Sequence, residues 1–480
     1  MSEADDIPEP PAKAAEGGEA RRGWIVPAII GSGLLMQTLN ATVITNALPA
    51  MAEAFGEEPL RLNLAITVYL LASAVFLPIS GWIADKYGAK RVFMAAMVLY
   101  ALSSAACGFA QSLPQLIAAR FLQGAAGAMV GPVGRLVLLR TTPKSELVGA
   151  MSVLTMPALL GPVVGPLIGG AIVTFADWRW IFFMNLPVAV AGVALVRAFV
   201  PNVKEQAVSP VDVTGILLTG VGLACLIFGF ENLGRSFLPP GAVPGLFAFG
   251  LLSLWLYGRH ARGNPHAIID LTIFRLPTFQ AATVGGAFMR IAMGANPFLL
   301  AMLLQVGFGL SAFAAGAMTF ISAVGALAMK TTAPPILRRF GFRTVLLVNA
   351  VIVAASFAAY GLFRPQTPHW MIMSVLAVGG FFRSLQFTSL NGMAYAEIDQ
   401  ARMSRASTTS SMVQQLVQSI GIGLAAALLH FLMRAHGESE LTWRTVSPAF
   451  PVVGAVTLVS MLWFVRLRPD AGAEMNARRG

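Results

Sequence analysis

The stretch Gly81-Trp82-Ile83-Ala84-Asp85-Lys86-Tyr87-Gly88-Ala89-Lys90-Arg91 joins two long apolar runs, 61–83 and 92–110. Each run has the roughly 20 residues that an α-helix needs to cross the hydrocarbon core of a bilayer. The connection therefore reads as a tight turn at a membrane surface. Glycines 81 and 88 permit close helix approach and a sharp reversal, and Asp85 can cap a neighbouring helix or pair with a basic residue. A plain positive loop accounts for Lys86, Lys90 and Arg91. It does not account for the Gly/Asp/Gly spacing, which reads as a latch that holds one conformation and releases in another. The pattern returns as Arg339-Phe340-Gly341-Phe342-Arg343, which echoes Lys86-Tyr87-Gly88-Ala89-Lys90 ahead of another apolar run. Such a repeat predicts two related helix bundles that rock around a site near the membrane midplane.

Composition extends this reading to the whole chain. Of 480 residues, 56% are hydrophobic and 11% charged, against about 25% charged in an ordinary soluble domain. Apolar blocks give fourteen spans at about 24–50, 61–83, 92–110, 113–138, 147–173, 180–200, 212–230, 238–258, 278–306, 311–333, 344–363, 369–393, 408–432 and 448–467. Alternate loops carry Lys86, Lys90 and Arg91; Arg140 and Lys144; Lys204; Arg259, Arg262 and Arg275; Arg338, Arg339 and Arg343; Arg402 and Arg405. This asymmetry assigns those loops to the cytoplasm. The intervening loops hold little beyond Arg179, Arg235, Arg364, Arg434 and Arg444, and Arg21/Arg22 and Arg466/Arg468 place both termini inside.

The expected fold is an all-α integral membrane protein of the inner or plasma membrane. It comprises a disordered cytoplasmic tail (1–23), a six-helix bundle (24–200), a linker with inserted helices seven and eight (201–277), a second six-helix bundle (278–468) and a short cytoplasmic tail (469–480). The net charge of +11 is spread over alternate loops rather than one face, which argues against a nucleic-acid partner. Cys107 and Cys225 fall inside apolar blocks and read as packing residues, not as a disulfide or a metal site.

Two further motifs lie inside spans. Arg120-Phe121-Leu122-Gln123-Gly124-Ala125-Ala126-Gly127 puts an arginine in an apolar helix, where a charge costs about 2.5–3.5 kcal/mol on insertion scales and is by default functional. The alternative is an arginine that bonds neighbouring carbonyls and braces the bundle. In the fifth span, Gly161-Pro162-Val163-Val164-Gly165-Pro166-Leu167-Ile168-Gly169-Gly170 spaces glycine every fourth residue. One helix face is then nearly smooth, open to close backbone approach, and the prolines favour a bend.

These motifs resemble those of the fourteen-helix drug:proton antiporter family of the major facilitator superfamily, the EmrB/QacA type, over nearly the whole chain. The family's loop motif falls on Gly81, Asp85, Gly88, Lys90 and Arg91, and its fourth-helix motif on Arg120, Gln123, Gly124 and Gly127. Its antiporter signature falls on Gly161, Pro162, Gly165, Gly169 and Gly170. Trp178-Arg179-Trp180-Ile181-Phe182-Phe183-Met184-Asn185-Leu186-Pro187 and Ile269-Asp270-Leu271-Thr272-Ile273-Phe274-Arg275 resemble further hallmarks of the fourteen-helix group. The resemblance implies a monomeric secondary transporter that exports small molecules in exchange for protons, with membrane lipid around it and no cofactor or metal.

One departure matters. Where the family's first helix usually reads Leu-Asp-x-Thr, this chain reads Leu39-Asn40-Ala41-Thr42. Asn40 cannot carry a proton, so the acid implicated in coupling is missing. Of the 22 acids, those after the tail lie in loops or at span ends, and none occurs between Asp270 and Glu397. The remaining candidate proton carrier is Glu231, near the outer end of span seven, although an acid there also suits a capping role. The acid-free interval holds Arg290 and Arg383 near the middles of two spans. With Arg120 they predict a cationic interior, and hence a second reading: a carrier whose arginines bind a substrate carboxylate or phosphate. No HExxH or GxSxG pattern supports an enzyme.

Overall fold

The computed structural model describes residues 13–57, 59–201, 210–233, 238–239, 241–264, 266–438 and 441–472, and every regular element among them is helical. In chain order these are α1 (Lys13–Phe55), α2 (Pro59–Phe76, continuing at an angle as Ser80–Tyr87), α3 (Ala89–Gly108), α4 (Leu113–Thr141), α5 (Leu147–Phe175) and α6 (Trp180–Phe199). Then come α7 (Val213–Glu231), α8 (Ala242–Gly263), α9 (Pro277–Gly307), α10 (312–340), α11 (342–360), α12 (His369–Met393), α13 (Met403–His436) and α14 (Trp443–Phe464).

Among the described residues, 11 helices are long and apolar enough to cross a membrane, or 12 with the bent pair of α2. One of these, Ala314–Tyr360, is two helices, because Gly341 breaks it with φ 73° and ψ 159°. Adding the 29-residue α5 brings the total to the expected fourteen.

The boundaries depart from the sequence reading in two places. The tail expected to be disordered over 1–23 is helical from Lys13, since Ala14, Ala15, Glu16, Glu19, Ala20, Arg21 and Arg22 are good helix formers that extend the apolar helix backwards. Residues 1–12 and 473–480, and the loop residues Lys204 and Arg235, lie outside the described residues. Span two is not straight but turns by 57° between its halves. Pro78 in the break has no N–H to carry the ladder through.

The repeat is geometric as well as sequential. Gly88 (φ 92°) and Gly341 (φ 73°) hold the left-handed backbone that reverses the chain between helices, a conformation that glycine adopts without strain. Two residues after each, a cation reaches the closing helix of its own bundle: Lys90 Nζ donates to the Arg197 carbonyl at 3.0 Å, and Arg343 Nη2 to the Val465 carbonyl at 3.1 Å. Ahead of each glycine, Lys86 lies 5.4 Å from the Tyr87 ring and Arg339 5.5 Å from the Phe340 ring.

Small residues set the helix packing. On α5, a Cβ at Gly161 would strike Thr38 and one at Gly165 would strike Thr42, both of α1. Thr42 Oγ1 donates to the Gly161 carbonyl across this contact at 3.2 Å. In the second bundle Gly325 of α10 meets the Ala377 backbone and Gly380 of α12 meets the Ser322 backbone. The inserted α7 packs on α8 and lies against α2 and α13, with Gly220 beside the Val75 backbone and Gly423 beside the Phe230 backbone. Helix α8 stays outermost and presents Phe249, Leu251, Leu252 and Trp255 to the lipid.

Gly165→Leu is expected to force α1 from α5 and destabilise the protein by about 1–3 kcal/mol or more. Thermal unfolding of the purified variant checks this, and a wild-type midpoint would refute the close contact.

Candidate functional site at the bundle interface

The latch motif sits where the two bundles meet. Asp85, on the second half of α2, accepts from Arg140 Nη2 of α4 at 2.7 Å, and the arginine side chain is 3% exposed. This pair is internal to the first bundle. Asp85 also faces Ser404 and Arg405 of α13 in the second bundle, and further contact is made by Gly81, where any side chain would strike Ser404 and Thr408 of α13, and by Ser80, whose hydroxyl is 3.5 Å from that of Thr408. Gly88 turns the chain, Lys90 ties it to α6, and Arg91 is exposed.

More bonds cross between the bundles at this same basic end. Lys144 Nζ donates to the Ala396 carbonyl at 3.0 Å, Ser407 Oγ to the Pro132 carbonyl at 3.0 Å, and Arg135 Nη1 to Tyr395 and Ser411 at 3.4 and 3.3 Å. Deeper, Lys330 of α10 is buried, and its ammonium donates at 2.7 Å both to Thr155 of α5 and to Thr388 of α12. The bundles are therefore fastened to each other at the end where the basic loops lie.

The three arginines expected to form one cationic cavity occupy three places. Arg120 is inside the first bundle, 1% exposed. It donates to the Ala65 carbonyl at 3.2 Å, to Asn40 Oδ1 at 2.6 Å and to Gln123 Oε1 at 2.5 Å, with the guanidinium 4.4 Å from the Tyr69 ring. Arg383 is inside the second bundle, donating to Tyr360 at 2.5 Å and Ser322 at 2.7 Å. Arg290 also belongs to the second bundle, bonded to the Ala282 carbonyl at 2.8 Å and Asn391 Oδ1 at 3.2 Å, but its Nε has no partner among the described residues. Glu231 closes α7 at the end away from the basic loops, half-buried. On α5, Gly161, Gly165 and Gly169 are buried, while the side chains of Pro162 and Pro166 lie outside those described. The sequence reading passes over Arg135 and Lys330, although each is a lone cation within an apolar helix, the same signal that singles out Arg120.

The sequence pattern of the Major Facilitator Superfamily matches residues 30–257 and 282–479. A putative multidrug resistance protein MdtD of Pectobacterium atrosepticum is 34% identical over 444 residues, 92% of this chain and 95% of the relative. The protein of the same description from Salmonella heidelberg is 36% identical over 456 residues, covering 94% and 96%. The chain belongs to the major facilitator superfamily. The human organic anion transporter MFSD10 superposes with a TM-score of 0.67 at 14% identity over 92% of this chain and 99% of its own. The proton:xylose symporter XylE superposes with 0.63 at 12% identity, over 93% and 96%. At such identities they show the fold alone.

For a major facilitator chain, the Asn40 position is informative. Its amide oxygen meets the Arg120 guanidinium where a carboxylate would otherwise form an ion pair, so the charge is solvated by dipoles and a ring instead. Asn40→Leu would strand that guanidinium and is expected to cost about 1.5–3 kcal/mol, whereas Asn40→Asp supplies the same acceptor and should keep wild-type stability or exceed it. Thermal unfolding of both variants tests this. Equal loss in both would mean that the bond to Arg120 contributes nothing.

Proposed function

We propose that this chain is a secondary active exporter of multidrug type, moving small amphipathic molecules out of the cell by alternating access and driven by the proton gradient. It works in the inner or plasma membrane as a monomer, with the basic loops and both termini in the cytoplasm. The observation that carries the reading is the cluster of inter-bundle bonds at the basic end, from Ser80–Thr408 to Lys330–Thr155. A carrier needs contacts that exist in one state and break in the other. With those contacts made, the cytoplasmic side is shut and solute leaves on the opposite side. The description of the MdtD relatives as putative multidrug resistance proteins points the same way.

The test is reconstitution into proteoliposomes with a panel of amphipathic dyes, with and without an imposed pH gradient. Gradient-dependent dye movement is expected, and its absence for every solute would overturn the reading. Asp85→Asn should insert normally yet transport about tenfold more slowly, since the carboxylate also faces Ser404 and Arg405 of the second bundle, and losing a charge-assisted contact of about 1.5–3 kcal/mol across the interface shifts a two-state equilibrium by that order. Full-rate transport by inserted Asp85→Asn would reduce the loop to a topology signal.

A further inference from the structure

One side of α12 and of the turn that follows it carries Thr388, Asn391 and Tyr395, spaced three and four residues apart and all buried. Each accepts a hydrogen bond from a different cation on a different helix. Lys330 of α10 donates to Thr388, Arg290 of α9 to Asn391, and Arg135 of α4 to Tyr395. Arg135 comes from the first bundle and the other two from the second. Among the described residues, no carboxylate is paired with any of the three.

Their side-chain bonding differs from that of Arg120 and Arg383. Arg120 and Arg383 each hold neutral side-chain acceptors at 2.5–2.7 Å. Arg290 bonds the Ala282 carbonyl at 2.8 Å and lies 6.0 Å from the Phe387 ring, but it reaches its side-chain acceptor only at 3.2 Å and, among the described residues, leaves Nε unbonded, and Arg135 reaches its two at 3.3 and 3.4 Å. Arg135 and Arg290 also lie near enough for their charges to act on each other. Lys330 uses two of three N–H donors. Like charges in a low-dielectric interior repel strongly, and neutral dipoles at such distances compensate them incompletely.

We infer that this stripe is an anion site, where the oxyanion groups of a small, multiply charged organic solute seat between Arg135, Arg290 and Lys330. The site rests on the reading of the chain as a secondary transporter and adds small organic anions to the amphipathic solutes proposed for it. Because the cations come from both bundles, an anion between them converts repulsion across the interface into attraction and so acts directly on the contact that opens and closes. Ser411 and Gln414, one on each side of the Asn391 and Arg135 bonds, supply further hydroxyl and amide groups.

The experiment uses the purified full-length protein in detergent, without a gradient, so its result does not depend on whether drug export is detected. Succinate is titrated by calorimetry and thermal shift, against butyrate, inorganic phosphate, tetraphenylphosphonium and micelle-borne phosphatidylglycerol. Succinate is expected to bind and stabilise, with butyrate at least tenfold weaker. Arg135→Gln and Arg290→Gln should each weaken succinate about tenfold or more, and Arg290→Lys should recover part of that. Arg290→Gln tests folding as well as binding, so Arg135→Gln decides: it removes a repulsion and should leave the ligand-free protein as stable as wild type. A less stable Arg135→Gln with unchanged succinate affinity would make the arginine a brace and overturn the site. Stabilisation by tetraphenylphosphonium or phosphatidylglycerol alone would overturn it equally.

Discussion

A charge placed within a bilayer must find its solvation inside the protein, and this chain must do so for cations with almost no acids at that depth. Arg120, Arg290, Lys330 and Arg383 are all buried. Their acceptors are carbonyls, hydroxyls, amides and aromatic faces. That constraint explains the otherwise odd density of polar neutral residues in the second bundle, such as the buried Thr388 and Asn391 and the half-buried Ser322 and Gln414. Without them the helices that carry the cations could not pack.

Substituting neutral dipoles for carboxylates changes what the interior can do. An ion pair between Arg120 and an acid would bind the proton as its competitor, whereas the bond from Arg120 to Asn40 has no proton to exchange. In this chain Asn40 is a fixed brace for Arg120. Under the proton-driven reading proposed above, coupling has to use groups other than Asn40, and among the interface cations Lys330, unlike the arginines, can give up a proton.

Much of the fold was legible because bilayer thickness imposes a length on apolar runs, and because the turn glycines declare themselves. Gly88 and Gly341 share a sign of φ that other residues rarely adopt, so their matching sequence context forecast matching geometry. The bend in α2 was less visible, since Pro78 sits in a run that hydropathy counts as continuous. The helical start of α1 was missed because acidic, proline-bearing composition near the terminus masked the run of helix formers from Lys13 onward. The site was legible only in part. Hydropathy identifies a cation as intramembrane, but the side of the helix it occupies depends on packing. Arg383 and Lys330 are both lone cations on neighbouring helices, yet one faces within its bundle and the other across to Thr155.

The interface must also come apart. A neutral hydrogen bond contributes about 0.5–1.5 kcal/mol net, because water replaces it when the groups separate. Between the bundles, Ser80–Thr408 and Ser407–Pro132 are of this kind, and Lys144, Arg135 and Lys330 donate from a charged group to a neutral acceptor, while the ion pair of Asp85 with Arg140 lies within one bundle. The arrangement therefore holds the shut state without making it irreversible. Gly81 fits the same logic: with no side chain it lets α2 and α13 meet at Ser404 and Thr408, and no interlocked side chain has to be withdrawn when they part. An anion seated between the cations of the two bundles, as proposed above, would add directly to the strength of this closed state.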